Sequence, residues 1–303
     1  MNIIETKDLV KRYGKNVVVN KVNMHIPESA IYGFVGENGS GKTTIMRMLT
    51  GLAEPNSGTY SLFGVDRKDR KIYSLRKQMA AIVETTSMVP TMTAKENLRY
   101  QELYLGIKLS DQERQALLEK VHLGNVANKR VKNFSLGMKQ RLGIALSLIN
   151  KPKLLLLDEP MNGLDPQGIA ELRDLLIELN QREHISVLIS SHILSELEKI
   201  ASVYGFISHG KLLEELTVEE LQEKCRKMLK IKVEDIGATE KALKALKIKD
   251  YKAFPNGDIN IYDEVEIGSF VGDLHKKRVK ILSINSSDES VEDYYLNLIK
   301  EAR

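Results

Sequence analysis

Apolar and polar positions alternate through the first 27 residues in two runs, 3–10 and 16–26, the period of strands with one buried face. Arg12-Tyr13-Gly14-Lys15-Asn16 between them has turn composition, so an antiparallel pair is predicted at the start of the chain. The period-two pattern then stops. Residues 31–35 are apolar except at Gly33, as in a strand buried on both faces, and residues 43–49 follow at helical spacing. Leu154-Leu155-Leu156-Leu157 predicts another doubly buried strand, the centre of a parallel sheet, and residues 185–190 predict a third.

The stretches between are shorter or more polar. They predict a strand at 59–62, a charged helix around 69–78, a small strand at 80–83 and a mostly helical region over 93–129. Thr93 and Glu96 have the spacing of a capping box. Residues 133–149 open on Ser135-Leu136-Gly137 and continue as a helix with Leu142, Ala145, Leu146 and Ile149 on its apolar positions. A turn at Gly163-Leu164-Asp165-Pro166 precedes a helix over 167–181, and strands 203–208 and 211–213 close a hairpin around His209-Gly210. From about residue 217 the chain grows richer in Lys and Glu. The pattern there predicts helix 217–228, strand 229–235, helix 238–247, strands 250–254 and 258–262, helix 266–277, strand 280–285 and helix 290–302. Its central β-α-β-β-α-β order suggests a ferredoxin-like module.

Composition narrows the class. A length of 303 residues favours two domains, and 42% apolar with 28% charged residues is ordinary for a soluble globular protein. No apolar run approaches the roughly 18 residues of a membrane span, and charges mixed into residues 1–8 argue against a signal peptide. Cys225 is the sole cysteine, which excludes an internal disulfide and a Cys-rich metal site and makes a cytosolic location the default. The net charge of +4 comes from 45 Lys+Arg against 41 Asp+Glu, with no basic stripe interleaved with aromatics, so no nucleic-acid partner is expected.

The chemistry sits at the ends of the apolar runs. Gly36-Glu37-Asn38-Gly39-Ser40-Gly41-Lys42-Thr43-Thr44 reads G-x-x-x-x-G-K-T between a predicted strand and a predicted helix, the context of a phosphate-binding P-loop. Its glycines let backbone N–H groups turn inward at a helix N-terminus, Lys42 would reach the β- and γ-phosphates, and the Thr43 hydroxyl would hold Mg²⁺. Asp158-Glu159 closes the leucine run, where ligands meet open α/β sheets, in the metal-and-base arrangement of nucleotide hydrolases. Three further residues are ambiguous from the sequence. Tyr13 suits adenine stacking or a hydrophobic cap, Ser135 a phosphate contact or an N-cap, and His192 a functional or a purely structural strand end.

The P-loop, the Ser-x-Gly helix start, the Asp-Glu strand and the strand-end histidine, in this order, resemble the ATP-binding cassette (ABC) family over residues 2 to about 215. The resemblance implies an α/β P-loop cassette at 1–215, with an antiparallel N-terminal β subdomain and a helical subdomain at about 85–150, followed by a small α+β domain at 216–303. It gives Tyr13 to adenine, Gly36 to Thr44 to phosphate and Mg²⁺, Asp158 to the metal through water, Glu159 to the attacking water, Asp165 to the D-loop and His192 to the γ-phosphate. Ser135 and Gly137 would complete the ATP site of a second copy in a head-to-tail homodimer. Two departures are visible: Phe134-Ser135-Leu136-Gly137-Met138 replaces the common L-S-G-G-Q, and Glu84 stands where the family usually has a glutamine near the metal. Ile82-Val83-Glu84, the stretch from Pro90 to Leu98 and the accessory C-terminal domain look like the branch of bacitracin-export and lantibiotic-immunity ATPases. The implied protein hydrolyses ATP to drive a separate multi-span permease from the cytoplasmic face of the membrane. A soluble ABC ATPase acting on ribosomes or DNA is the alternative; one cassette and no sustained heptads weigh against it.

Overall fold

The computed structural model describes residues 1–83, 88–225, 227–288 and 290–301. The chain forms two compact units, Met1–Val218 and Glu219–Glu301.

The first unit opens with β1 (Asn2–Tyr13), β2 (Asn16–Val22) and β3 (His25–Pro27). The predicted second run is two strands, because a buried side chain interrupts the ladder. Thr6 Oγ1 donates to the Val22 carbonyl at 2.9 Å and accepts the Met24 N–H at 2.8 Å, and Lys21 turns through a left-handed φ of 51°. Next come β4 (Ile31–Val35), α1 (Lys42–Thr50), β5 (Ser57–Leu62) and β6 (Val65–Asp66). β5 pairs antiparallel with the other edge of β1, completing the N-terminal sheet.

The charged helix expected at 69–78 shrinks to α2 (Ile72–Leu75) and a 3-10 turn, Arg76–Gln78. Only Ile72 is buried there, too little apolar surface to stabilise a longer helix. β7 (Met79–Ile82) precedes the helical region, where α3 (Ala94–Leu105) and α4 (Asp111–Lys120) each start with a reciprocal capping box, Thr93 with Glu96 and Ser110 with Glu113. A cap of this kind contributes about 1 kcal/mol. The Arg114 guanidinium donates to Glu102 at 2.7 Å, both buried, and ties α4 to α3. α5 (Leu136–Leu148), β8 (Leu154–Asp158), α6 (Pro166–Glu183), β9 (Ser186–Ser191), α7 (Leu194–Leu197), β10 (Val203–Ser208) and β11 (Lys211–Thr217) complete the unit.

The main sheet has the order β11-β10-β4-β9-β8-β7, parallel except for the β10/β11 hairpin. The P-loop strand β4 and the Asp-Glu strand β8 are therefore not neighbours; β9 lies between them. All four leucines of β8 are fully buried, each contributing about 1.5–3 kcal/mol. The apolar face of α1 (Ile45, Met46, Met48, Leu49) shares one core with Ile4 and Leu9 of the N-terminal sheet and Leu154, Leu156 and Leu188 of the main sheet. At the far edge, the fully buried Tyr32 donates its O–H to Glu215 at 2.7 Å, and Glu215 also accepts the His25 N–H at 2.8 Å. Burial first, then the charge of Glu215 and this hydrogen bond, push the Tyr32 phenol well above its usual range.

The second unit takes in most of α8 (Val218–Lys224), then β12 (Lys227–Val233), α9 (Ile236–Ala245), β13 (Tyr251–Ala253), β14 (Asp258–Ile261), α10 (Ile267–Lys276), β15 (Ile281–Asp288) and α11 (Val291–Glu301). α8 is shorter than the predicted helix because Lys227 and Met228 join the ladder between β12 and β15. The sheet is antiparallel throughout in the order β13-β14-β12-β15, which is the ferredoxin-like order. Leu229, Ile231, Val233, Ile259 and Ile261 pack with Leu243, Phe270 and Leu274 into its core.

Candidate nucleotide site

The loop from Gly36 to Gly41 leaves β4 and ends as the N-cap of α1, whose first turn has no acidic residue and no capping side chain. Its N-terminal N–H groups and dipole are thus available to an anion. Gly41 takes a φ of +110°, and a Cβ there would stand 2.8 Å from the Val18 carbonyl. A Cβ on Gly36 would lie 2.6 Å from the Ile207 carbonyl oxygen, so the loop can pack this tightly only with glycine. The turn between β10 and β11 braces the loop from below: Gly210 N–H donates to the Ser40 carbonyl at 3.0 Å, and Asn20 N–H to the Gly210 carbonyl at 2.8 Å. Glu37, Asn38 and Gly39 form the exposed crest; Thr43 and Thr44, on α1, are half-buried.

Lys42 is 4% exposed, its ammonium donating to the carbonyls of Gly36 at 2.6 Å and Glu37 at 3.2 Å. Glu159 Oε1 lies 3.4 Å from the same nitrogen. That oxygen is buried and makes no hydrogen bond, so the lysine acts on it through charge alone. Oε2 of Glu159 meets His192 Nδ1 at 2.8 Å. Thr43 Oγ1 donates to Asp158 Oδ2 at 2.6 Å. The second oxygen, Oδ1, accepts from Ser190 Oγ at 2.6 Å, and Ser190 Oγ accepts the Glu159 N–H at 2.9 Å. Glu159 itself has a left-handed φ of 48°, rare for a residue with a Cβ.

Five of the residues singled out from the sequence, Lys42, Thr43, Asp158, Glu159 and His192, are thus joined by short polar contacts. Others stand on separate elements. Tyr13 ends β1, 48% exposed, with the Lys11 ammonium 5.1 Å from its ring centroid. Ser135 is the N-cap of α5, its hydroxyl accepting the Met138 N–H at 3.3 Å, with Gly137 in the first turn. Asp165 caps α6 in the same manner, accepting the Gly168 N–H at 2.9 Å. The starts of α5 and α6 face each other through Gly137 and Leu164. Glu84 lies outside the described residues. Ser190 has no counterpart in the sequence expectations; a hydroxyl closing an apolar strand two residues before His192 was the available signal.

The donor set suits a divalent ion completed by phosphate. Thr43 and Asp158 supply one hydroxyl and one carboxylate, and among the described residues no group of three His, Cys, Asp or Glu could hold an ion alone. Mg²⁺ is bound in this manner, by one or two protein oxygens with phosphate and water filling the rest. Ser40 Oγ, buried beneath the crest without a partner, is a further polar atom turned into the loop.

Comparison with known proteins identifies the family. The ABC transporter family model matches residues 19–162. Bacitracin transport ATP-binding protein BcrA of Enterococcus faecalis is 41% identical over 98% of this chain and 96% of its own. Lantibiotic transport ATP-binding protein SrtF of Streptococcus pyogenes is 46% identical over 70% of this chain and 89% of its own. A solved ATP-binding subunit of an ABC transporter superposes with a TM-score of 0.64 at 28% identity, covering 73% of this chain and 92% of that one. An ABC transporter cassette in its ADP conformation reaches 0.66 at 22% identity over 74% and 94%, a likeness of fold. The chain belongs to the ABC transporter family, as one of its ATP-binding, ATP-hydrolysing subunits.

Proposed function

We propose that the chain powers an exporter of peptide antibiotics or related amphiphiles, working through a separate multi-span permease from the cytoplasmic face of the membrane. The convergence of Lys42, Thr43, Asp158, Glu159 and His192 carries the hydrolytic part of this reading. The likeness to a bacitracin transport protein over 98% of the chain, C-terminal unit included, supports the cargo class. No described helix is long and apolar enough to cross a membrane, and the permease supplies the span.

In this mechanism Lys42 and the α1 N-terminus hold the β- and γ-phosphates, and the exposed face of Tyr13 receives the adenine. Thr43 and Asp158 would hold Mg²⁺, which when bound neutralises charge on the β/γ-phosphate oxygens. Glu159 Oε1, lacking a hydrogen bond, is the acceptor for a proton of the attacking water. His192 fixes the other oxygen and so orients the carboxylate, while its outer edge meets the γ-phosphate. Ser135 and Gly137, exposed or half-exposed at the start of α5, serve the ATP of a second copy, so that binding closes the homodimer and hydrolysis loosens it.

The permease would meet the helical region. Tyr100, Leu103 and Tyr104 of α3 are 54%, 76% and 82% exposed, an apolar patch of the kind that marks an interaction site. Beside it a groove of about 500 Å³ is lined by Tyr73, Arg76, Ala81, Gln101, Leu105 and Leu146. The test is affinity capture of the tagged chain from detergent-solubilised native membranes, with bound proteins identified by mass spectrometry. Recovery of a multi-spanning protein at comparable stoichiometry is expected. Recovery of ribosomes or DNA-processing proteins alone would contradict the transport reading.

A further inference from the structure

We infer that Ser190 is a positioning residue for hydrolysis: one buried hydroxyl that sets both the metal-side carboxylate of Asp158 and the backbone that carries Glu159. The inference rests on the reading above for the roles of those two carboxylates, and concerns how they are held.

Because β9 separates β4 from β8, whatever stands at the end of β9 lies beside the Asp-Glu pair. The parallel register pairs Asp158 with Ser190, so both side chains project from the same face of the sheet. One strand position earlier on that face, the pair is Leu156 with Leu188, both fully buried. Continuing this column, an apolar residue would fill position 190 without a buried polar atom. The chain instead has a hydroxyl there with no exposure at all. Such a group is costly unless bonded, and this one is bonded twice.

Its two bonds have different consequences. The proton goes to Asp158 Oδ1 at 2.6 Å, which fixes the rotation of the carboxylate and turns Oδ2 to Thr43 on α1. A lone pair accepts the Glu159 N–H at 2.9 Å, at the residue whose φ of 48° aims its side chain back toward Lys42 and His192. Without that acceptor the N–H would be left inside the sheet, and the left-handed turn would lose the bond that favours it. A single oxygen therefore correlates the orientation of the metal side with that of the base side. Partners that orient metal ligands typically control about 10- to 100-fold in metal affinity or activity.

The test compares Ser190→Thr with Ser190→Val, which differ only in hydroxyl against methyl, alongside Ser190→Ala and Glu159→Gln in the full chain. Thermal unfolding first identifies which variants fold. Manganese(II) affinity in the presence of a non-hydrolysable ATP analogue is read by electron paramagnetic resonance, metal-free nucleotide affinity by fluorescence, and turnover by phosphate release. The expected result is a loss of about 10- to 100-fold in manganese affinity and in kcat for Ser190→Val and Ser190→Ala, with metal-free nucleotide affinity unchanged and both losses restored in Ser190→Thr. Equal manganese affinity and kcat in the Thr and Val variants would overturn the inference. Undiminished turnover of Glu159→Gln would instead overturn the assignment of the base, and the manganese comparison would still decide whether Ser190 positions Asp158.

Discussion

The main sheet of the first unit and the sheet of the second unit treat polar side chains in opposite ways. At the ends of the parallel strands the first unit buries Lys42, Ser190, Ser191 and Ser208 and holds Glu159 in a left-handed conformation. The antiparallel sheet of the second unit has an aliphatic inner face, and the unit has largely solvated ion pairs such as Lys276 with Asp273 and Lys280 with Glu234. Its described buried polar residues are Thr239, satisfied by the Asp235 carbonyl, and Asn260, whose Oδ1 has no partner. Solvated pairs cost little and contribute little. Buried polar and charged groups oppose folding unless their surroundings satisfy them. It is therefore their gathering at the strand ends of the first unit that distinguishes the proposed site, and not left-handed backbone, which also occurs at Lys247 and Arg278.

The contrast can be broken from either side. Leu243 is fully buried in the core of the second unit, and Leu243→Ala should destabilise that unit by about 2–5 kcal/mol, seen in urea unfolding. ATP affinity should not change; a parallel loss would show that the nucleotide site depends on the second unit. Lys42→Ala makes the reverse cut. Losing charged hydrogen bonds worth about 1.5–3 kcal/mol should weaken ATP binding roughly 10- to 100-fold in a fluorescence titration. The unfolding of the second unit should stay where it was, and unchanged affinity would refute the phosphate assignment.

These two cuts fall on elements that differ in how much of them the sequence reveals. β4, α1 and β8 follow from local apolar runs and the spacing of Gly, Lys and Thr, and the structure has them within a residue or two of the predicted bounds. The βαββαβ order of the second unit is equally local, since each hairpin and helix announces itself. What no local pattern carries is which strands become neighbours. The insertion of β9 between β4 and β8, and hence the role of Ser190, depends on pairing between residues far apart in the chain. The split of residues 16–26 into β2 and β3 turned on one buried hydroxyl, that of Thr6, which an alternating pattern treats as any other position.

The smallest expected effect concerns the sheet edge away from the nucleotide. Tyr32 is the acid there, and its raised phenol favours the protonated form in the folded state. Its stabilising contribution is complete below the unfolded phenol's value of about 10 and is lost as pH rises through the raised folded value. Tyr32→Phe should cost about 1 kcal/mol near neutrality, since Glu215 keeps the His25 N–H, and should remove that part of the alkaline decline in thermal stability. Identical alkaline slopes in the two proteins would show that Tyr32 does not control this edge.

The most direct test of the hydrolytic centre is the turnover and assembly of Glu159→Gln. Loss of the acceptor carboxylate should lower ATP hydrolysis by about 10²- to 10⁴-fold while ATP binding persists. Light scattering should then find an ATP-dependent dimer that accumulates instead of dissociating. Undiminished turnover, with no accumulated dimer, would remove Glu159 as the base and contradict the account.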